Sequence, residues 1–205
     1  MSFELPMFPL STVLLPHQAL PLHVFEPRYR AMMSAIRGTT DEFGVVLIER
    51  GAEVGGHDTR ARIGTVGRIA TAEQLDDGRW LLVAVGTDRL RVEAWLDDAP
   101  YPRAAVTRLD EPQPSDDDRA RRGALTPQLE RILALHAEVT ATAPIALEAV
   151  DDVQMWMWQP AVVAPLGPFD TQRVVAGGSW NARLNVIAAA FDELEAVLQF
   201  RTETS

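Results

Sequence analysis

The chain has no cysteine and no lysine; all 19 of its basic residues are arginine. Without cysteine, disulfides, cysteine-ligated zinc and thiol chemistry are excluded together. Without lysine, a Walker-type phosphate loop lacks the side chain that reaches the phosphates, and a Ser-Lys dyad lacks its base. No apolar run approaches the roughly 18 to 20 residues of a membrane span. No basic residues precede the first apolar ones, as a secretory leader requires, so a cytoplasmic location is expected. Positive charge is also scarce. The 29 acids give a net charge of -10, the deficit is spread over both halves, and neither half shows the basic stripe of a nucleic-acid binder.

What remains is ordinary globular composition, 47% apolar and 23% charged over 205 residues. That is enough for one sizeable core or two modest ones. The organising stretch is Phe8 to Met33. Its apolar runs, Leu5 to Leu15 and Leu20 to Phe25, carry Pro6, Pro9, Pro16 and Pro21. Proline cannot donate to a ladder, so the runs are expected to be short edge strands or extended segments. Pro27 then suits a first helical turn, with Tyr29, Met32, Met33 and Ile36 at helical spacing and Gly38 past the end. Phe43 to Glu49 reads as a central strand and Arg50 to Arg60, rich in glycine, as a loop. Ile63 to Leu75, Trp80 to Val85, Arg89 to Leu96 and Tyr101 to Leu109 read as further strands, with a turn at Asp76-Asp77-Gly78.

Composition changes at Asp110 to Ser115, and everything beyond reads as helical. Asp116 to Asp118 suit a helix start. Pro127 leaves either one kinked helix or two, the second capped by Thr126. Asp151-Asp152, Asp170 and Ser179 are expected caps for later helices. The last helix carries the stripe Trp180, Leu184, Ile187, Ala188, Phe191, Leu194 and Leu198. The expected fold is α+β: a β-barrel subdomain over residues 1-110, then a bundle of about four helices over residues 111-205.

The order of motifs carries a resemblance. Pro9-Leu10, Leu15-Pro16 and Leu20-Pro21-Leu22-His23-Val24-Phe25-Glu26-Pro27-Arg28-Tyr29 are similar to the opening of the Lon protease N-terminal, or LON substrate-binding, domain. Gly64 to Ile69 resembles that family's central strand, Val85 to Val92 its glycine-then-arginine strand pair, and Pro165 to Gln172 its C-terminal end. The chain resembles the bacterial stand-alone members most. One departure is His17-Gln18 after Pro16, where the family usually has glycine. The resemblance implies a PUA-like barrel and recognition of exposed apolar or unfolded polypeptide segments without chemistry on them. It also implies an adaptor or sensor role beside a separate protease or chaperone. Full-length Lon carries an ATPase and a peptidase centre, and each needs a lysine that this chain does not have.

Candidate sites follow from chemistry. Phe25, Glu26, Arg28 and Tyr29 either line a groove beside the opening strands or cap and pack the first helix. Met155-Trp156-Met157-Trp158 places four large apolar side chains about 100° apart around a helix. They cannot all face one core, so Trp156 and Trp158 are candidates for a binding surface or for burial on every side. The histidines at 17, 23, 57 and 136 have no metal-ligand spacing, and helix capping accounts for the aspartates at 116–118 and 151–152, so no metal or cofactor is expected. No serine lies in a nucleophile elbow, so no catalytic residue is assigned. A small-molecule sensor with a pocket in the barrel is the alternative function.

Overall fold

A computed structural model describes residues 1–50 and 59–204. It divides into two compact units, Met1–Glu111 and Pro112–Ser205.

Among its described residues, the first unit is a strand ring with one helix. Strand β1 (Ser2–Leu10) pairs antiparallel with β7 (Arg103–Arg108), which pairs with β6 (Trp80–Leu96); β6 pairs with β5 (Ile63–Gln74), and β5 with β3 (Glu42–Arg50). A parallel ladder from β3 back to β1 closes the ring. Leu5 and Met7 of β1, Val46 of β3, Val66 of β5, Leu90 and Val92 of β6, and Ala104 and Val106 of β7 meet in one buried cluster. Because all five strands contribute, that cluster is the barrel interior. On the other face of the wall, Phe8, Leu10, Phe43, Val45, Ile69, Leu82 and Ala84 pack against Tyr29, Met32, Met33 and Ile36 of α1 (Pro27–Ile36). The helix therefore packs on the outer face of the barrel wall through the side that its sequence spacing marked as apolar.

Two expectations change. The proline-bearing β1 is not an edge strand. Its residues 2–6 pair with β7 and residues 7–10 with β3. Each half has a ladder on one side only, so Pro6 and Pro9 remove no donor that a second ladder needs. Residues 80–85 and 89–96 form one strand of 17 residues rather than two. Gly86 lies within this strand and marks a close approach. The Leu15–Gln18 loop crosses it, with hydrogen bonds from His17 N–H to the Gly86 carbonyl (2.8 Å) and from Gly86 N–H to the Gln18 carbonyl (2.9 Å). A Cβ at Gly86 would lie 2.0 Å from the Leu15 carbonyl oxygen. In that same loop His17 adopts a left-handed φ of 66°, which is the conformation that glycine takes most cheaply.

The two remaining strands are β2 (Ala19–Val24), which pairs with β6, and β4 (Thr59–Arg60), which pairs with β3. Most of the expected 50–60 loop, His57 included, lies outside the described residues.

The second unit contains five helices among its described residues: α2 (Asp116–Ala124), α3 (Thr126–Thr140), α4 (Val153–Val163), α5 (Pro168–Ala176) and α6 (Trp180–Thr204). Ser115 and Asp118 form a reciprocal capping box at the start of α2. Pro127 separates α2 from α3, and Leu125, not Thr126, stands at the cap. Asp152 accepts the Met155 N–H at 2.7 Å, and Ser179 that of Ala182 at 3.2 Å, so both cap as their positions suggest. Gly167, rather than Asp170, caps α5, with Asp170 in the first turn. Leu129, Ile132 and Leu133 of α3 are buried together with Leu184, Ile187, Phe191 and Leu198 of α6.

Candidate functional site

In the first unit, the register of three strands builds an apolar groove. Residues 19–24 of β2 lie opposite 80–85 of β6, and residues 71–74 of β5 lie on the other side of the same segment. Alternation then sorts the side chains. Leu20, Leu22, Ala72, Trp80, Leu82 and Ala84 turn inward onto the α1 cluster. Pro21, His23, Thr71, Glu73, Leu81 and Val83 line an open groove of about 540 Å³. Leu81 is 44% exposed at its centre, and Phe25, with its ring 5.9 Å from that of His23, is 57% exposed at one end.

The strand β2 that walls this groove has no second partner among the described residues. The Gly86–Gln18 bond fixes its phase, so Ala19, Pro21 and His23 direct their backbone groups to the open edge. Pro21 has no N–H, and the edge is interrupted at its middle. At the turn end, Arg79 donates to His23 Nε2 at 3.3 Å and to Asp77 Oδ2 at 2.6 Å. Arg79 also helps to draw the Asp77 carboxyl below its ordinary range, after the larger effect of a backbone N–H bond from the same residue.

The segment from Phe25 to Tyr29 divides by exposure. Glu26 and Arg28 pair at 3.1 Å, and the Arg28 guanidinium lies 4.6 Å over the Tyr29 ring. Tyr29 itself is 3% exposed, 4.1 Å from the Phe8 ring. It packs against the barrel wall and is not a surface residue.

The Met155 to Trp158 run has a use that the sequence does not announce. Trp158 is fully buried against Trp180, rings 5.1 Å apart. The guanidinium of the buried Arg183 lies 4.6 Å from one ring and 4.5 Å from the other. Half-buried Trp156 covers Arg122 at 4.4 Å. The fully buried Arg122 donates to the Trp156 carbonyl (3.0 Å), to Thr126 Oγ1 (2.8 Å) and to Gln159 Oε1 (2.8 Å). Loss of water pushes its pKa down to about 10, so it remains a cation at neutral pH. The tryptophans thus solvate two interior cations with their ring faces. Met155 is the member of the run left exposed.

The sequence reading did not find the groove residues Thr71, Glu73, Leu81 and Val83. A signal existed. Trp80 to Val85 is apolar on both faces although it sits in a hairpin beside an edge strand, so one apolar face is left open.

Among the described residues, no three His, Asp or Glu side chains come together where they could hold a metal ion, and no helix is long and apolar enough to cross a membrane.

Known proteins agree with this architecture. A family model described as the ATP-dependent protease La (LON) substrate-binding domain matches residues 4–189. The Lon protease of Nitratidesulfovibrio vulgaris is 28% identical over 161 residues, which cover 73% of this chain and 19% of that protein. Lon protease 2 of Herpetosiphon aurantiacus is 32% identical over 108 residues, 51% of this chain and 13% of that protein. The chain therefore spans less than a fifth of the curated relatives it matches. The crystal structure of a Lon N-terminal domain protein from Xanthomonas campestris superposes with a TM-score of 0.66 at 26% identity, covering 91% of this chain and 98% of that one. The N-terminal domain of the Mycobacterium avium complex Lon protease gives the same TM-score at 15% identity, covering 93% and 99%, which shows the fold alone. The domain these matches describe binds substrate and is not the catalytic part of the protease, and the chain belongs to the LON substrate-binding domain family.

Proposed function

We propose that the first unit recognises extended apolar polypeptide segments in the groove formed by β2, β6 and β5, and performs no chemistry on them. The observation that carries the reading is Leu81. A large aliphatic side chain stands 44% exposed at the centre of an open apolar groove, within a family whose description is substrate binding. Covering what remains exposed of Leu81 and Phe25 together contributes about 1.5 to 3 kcal/mol, and Phe25 extends the apolar surface beyond His23. Glu26 and Arg28 flank Phe25. In this reading Tyr29 supports the segment from beneath, and Trp156 and Trp158 stabilise the helical unit without touching the ligand.

The groove's openness favours an extended chain over an enclosed metabolite, and the missing Pro21 N–H favours side-chain docking over strand addition. The wider role is that of an adaptor or sensor that presents clients to a separate protease or chaperone. Titration of a labelled unfolded polypeptide, followed by anisotropy, tests the reading. Saturable binding is expected, and replacing both Leu81 and Phe25 by serine should weaken it at least about tenfold with the fold kept. Absence of binding to any unfolded chain would move the assignment to a small-molecule sensor.

A further inference from the structure

Building on the groove assignment above, we infer that the preferred segment carries a basic side chain next to its apolar one, and that Glu73 selects it. One cross-strand row contains the whole argument. Glu73 of β5 lies opposite Leu81 of β6, and Leu81 lies opposite His23 of β2. Neighbours in such a row have Cβ atoms about 5 Å apart, so the row reads carboxylate, apolar centre, imidazole across the groove.

The two ends of the row differ in charge. At the His23 end, the Arg79 cation is already matched by Asp77. At the β5 end, the exposed Glu73 side chain has no hydrogen-bond or ion-pair partner among the described residues. Its neighbour on the same face is the uncharged Thr71. The nearest cation further along that face, Arg68, is held by Glu42 at 2.8 Å. An unmatched carboxylate therefore borders the apolar floor. An extended segment that lays an aliphatic or aromatic residue over Leu81 projects the side chains one or two positions away toward the walls. An arginine or lysine there reaches Glu73, whereas an aspartate or glutamate meets a like charge. The net charge of -10 adds steering of the same sign.

The test uses two labelled peptides of identical apolar core, one flanked by arginines and one by glutamates, titrated against the full chain at low and at high salt. The basic peptide is expected to bind about threefold more tightly, with the gap narrowing as salt rises. Glu73→Gln should remove most of that preference, and Glu73→Arg should reverse it. Asp76→Asn deletes the same charge from the adjoining turn, outside the groove lining, and should leave the preference intact. Both Glu73 changes lie on the surface, and circular dichroism checks that the fold survives. Equal affinity of the two peptides for the unaltered chain overturns the inference and leaves the groove assignment standing. So does a preference that Glu73→Gln does not change or that Asp76→Asn abolishes equally. Failure of both peptides to bind overturns the groove assignment itself.

Discussion

The two units bury positive charge in different ways. In the barrel unit, most arginines stay at the surface and meet carboxylates: Arg68 and Arg108 both hold Glu42 (2.8 and 2.6 Å), and Arg103 holds Glu4 at 2.7 Å. Even the buried Arg89 meets an acid, Glu111. In the helical unit, Arg122 and Arg183 are fully buried and lie against tryptophan rings. A ring face offers a cation attraction without a second charge to desolvate. The lesson concerns where apolar surface is left over. Tryptophans 158 and 180 are buried in their own interior and Trp156 covers Arg122, whereas Leu81 and Phe25 of the barrel unit stay 44% and 57% exposed. The exposed apolar surface that matters for binding is placed by this account on the strand unit, not on the Trp-rich helix.

The sharpest way to break that comparison is to remove an interior cation. Arg122→Ala leaves the Trp156 carbonyl and Gln159 without their donor and opens a cavity, at a cost of about 3 kcal/mol in stability. Arg122→Lys should recover little, because an ammonium cannot serve three acceptors in a planar fork. Chemical denaturation followed by far-ultraviolet circular dichroism measures both. A Lys variant as stable as the parent would mean that charge alone is used there.

A smaller effect of opposite sign is expected at strained turns in each unit. His17 (φ 66°) in the barrel unit and Ala141 (φ 51°) after α3 occupy left-handed backbone. Glycine at either position should raise stability by about 0.5 to 1 kcal/mol, read as a shift of the denaturation midpoint. No gain at either site would mean that the native side chains make compensating contacts.

The smallest effect concerns an acid that ties α3 to α6. Glu195 accepts hydrogen bonds from Arg131 (2.7 Å) and Gln128 (3.0 Å), which hold its pKa below the ordinary 4.5. Its folded value lies below its unfolded one, so its contribution is complete above pH 4.5 and is lost as pH falls through the folded value. Relative to Glu195→Gln, the parent chain should be more stable at pH 7 and no more stable near pH 3. A difference that persists at pH 3 would show that hydrogen bonding without charge suffices.

Much of the architecture was readable from residues. The Tyr29-Met32-Met33-Ile36 spacing and the Ser179 and Asp152 caps are local signals, and local physics decides them. The β1 prolines and the continuity of β6 through Gly86 were not legible because their meaning depends on a distant partner. Whether a missing N–H matters is set by which side of β1 carries a ladder, and Gly86 admits a loop 70 residues upstream in the chain. The Met155–Trp158 run was ambiguous for a similar reason. Nothing near it in sequence reveals that Arg122 and Arg183 will arrive against its rings. The groove was half legible. Phe25 and its neighbours stood out by resemblance, but Leu81 and Glu73 join them only through the β2–β6–β5 register.

The measurement that tests the central claim most directly is a side-by-side titration of one labelled unfolded polypeptide against three chains: the parent, the Leu81→Ser and Phe25→Ser double variant, and Met155→Ser. The account predicts saturable binding to the parent, at least about tenfold weaker binding to the groove variant, and parent-like binding to Met155→Ser. Loss of binding in Met155→Ser with the groove variant unaffected would place recognition on the helical unit and contradict the account.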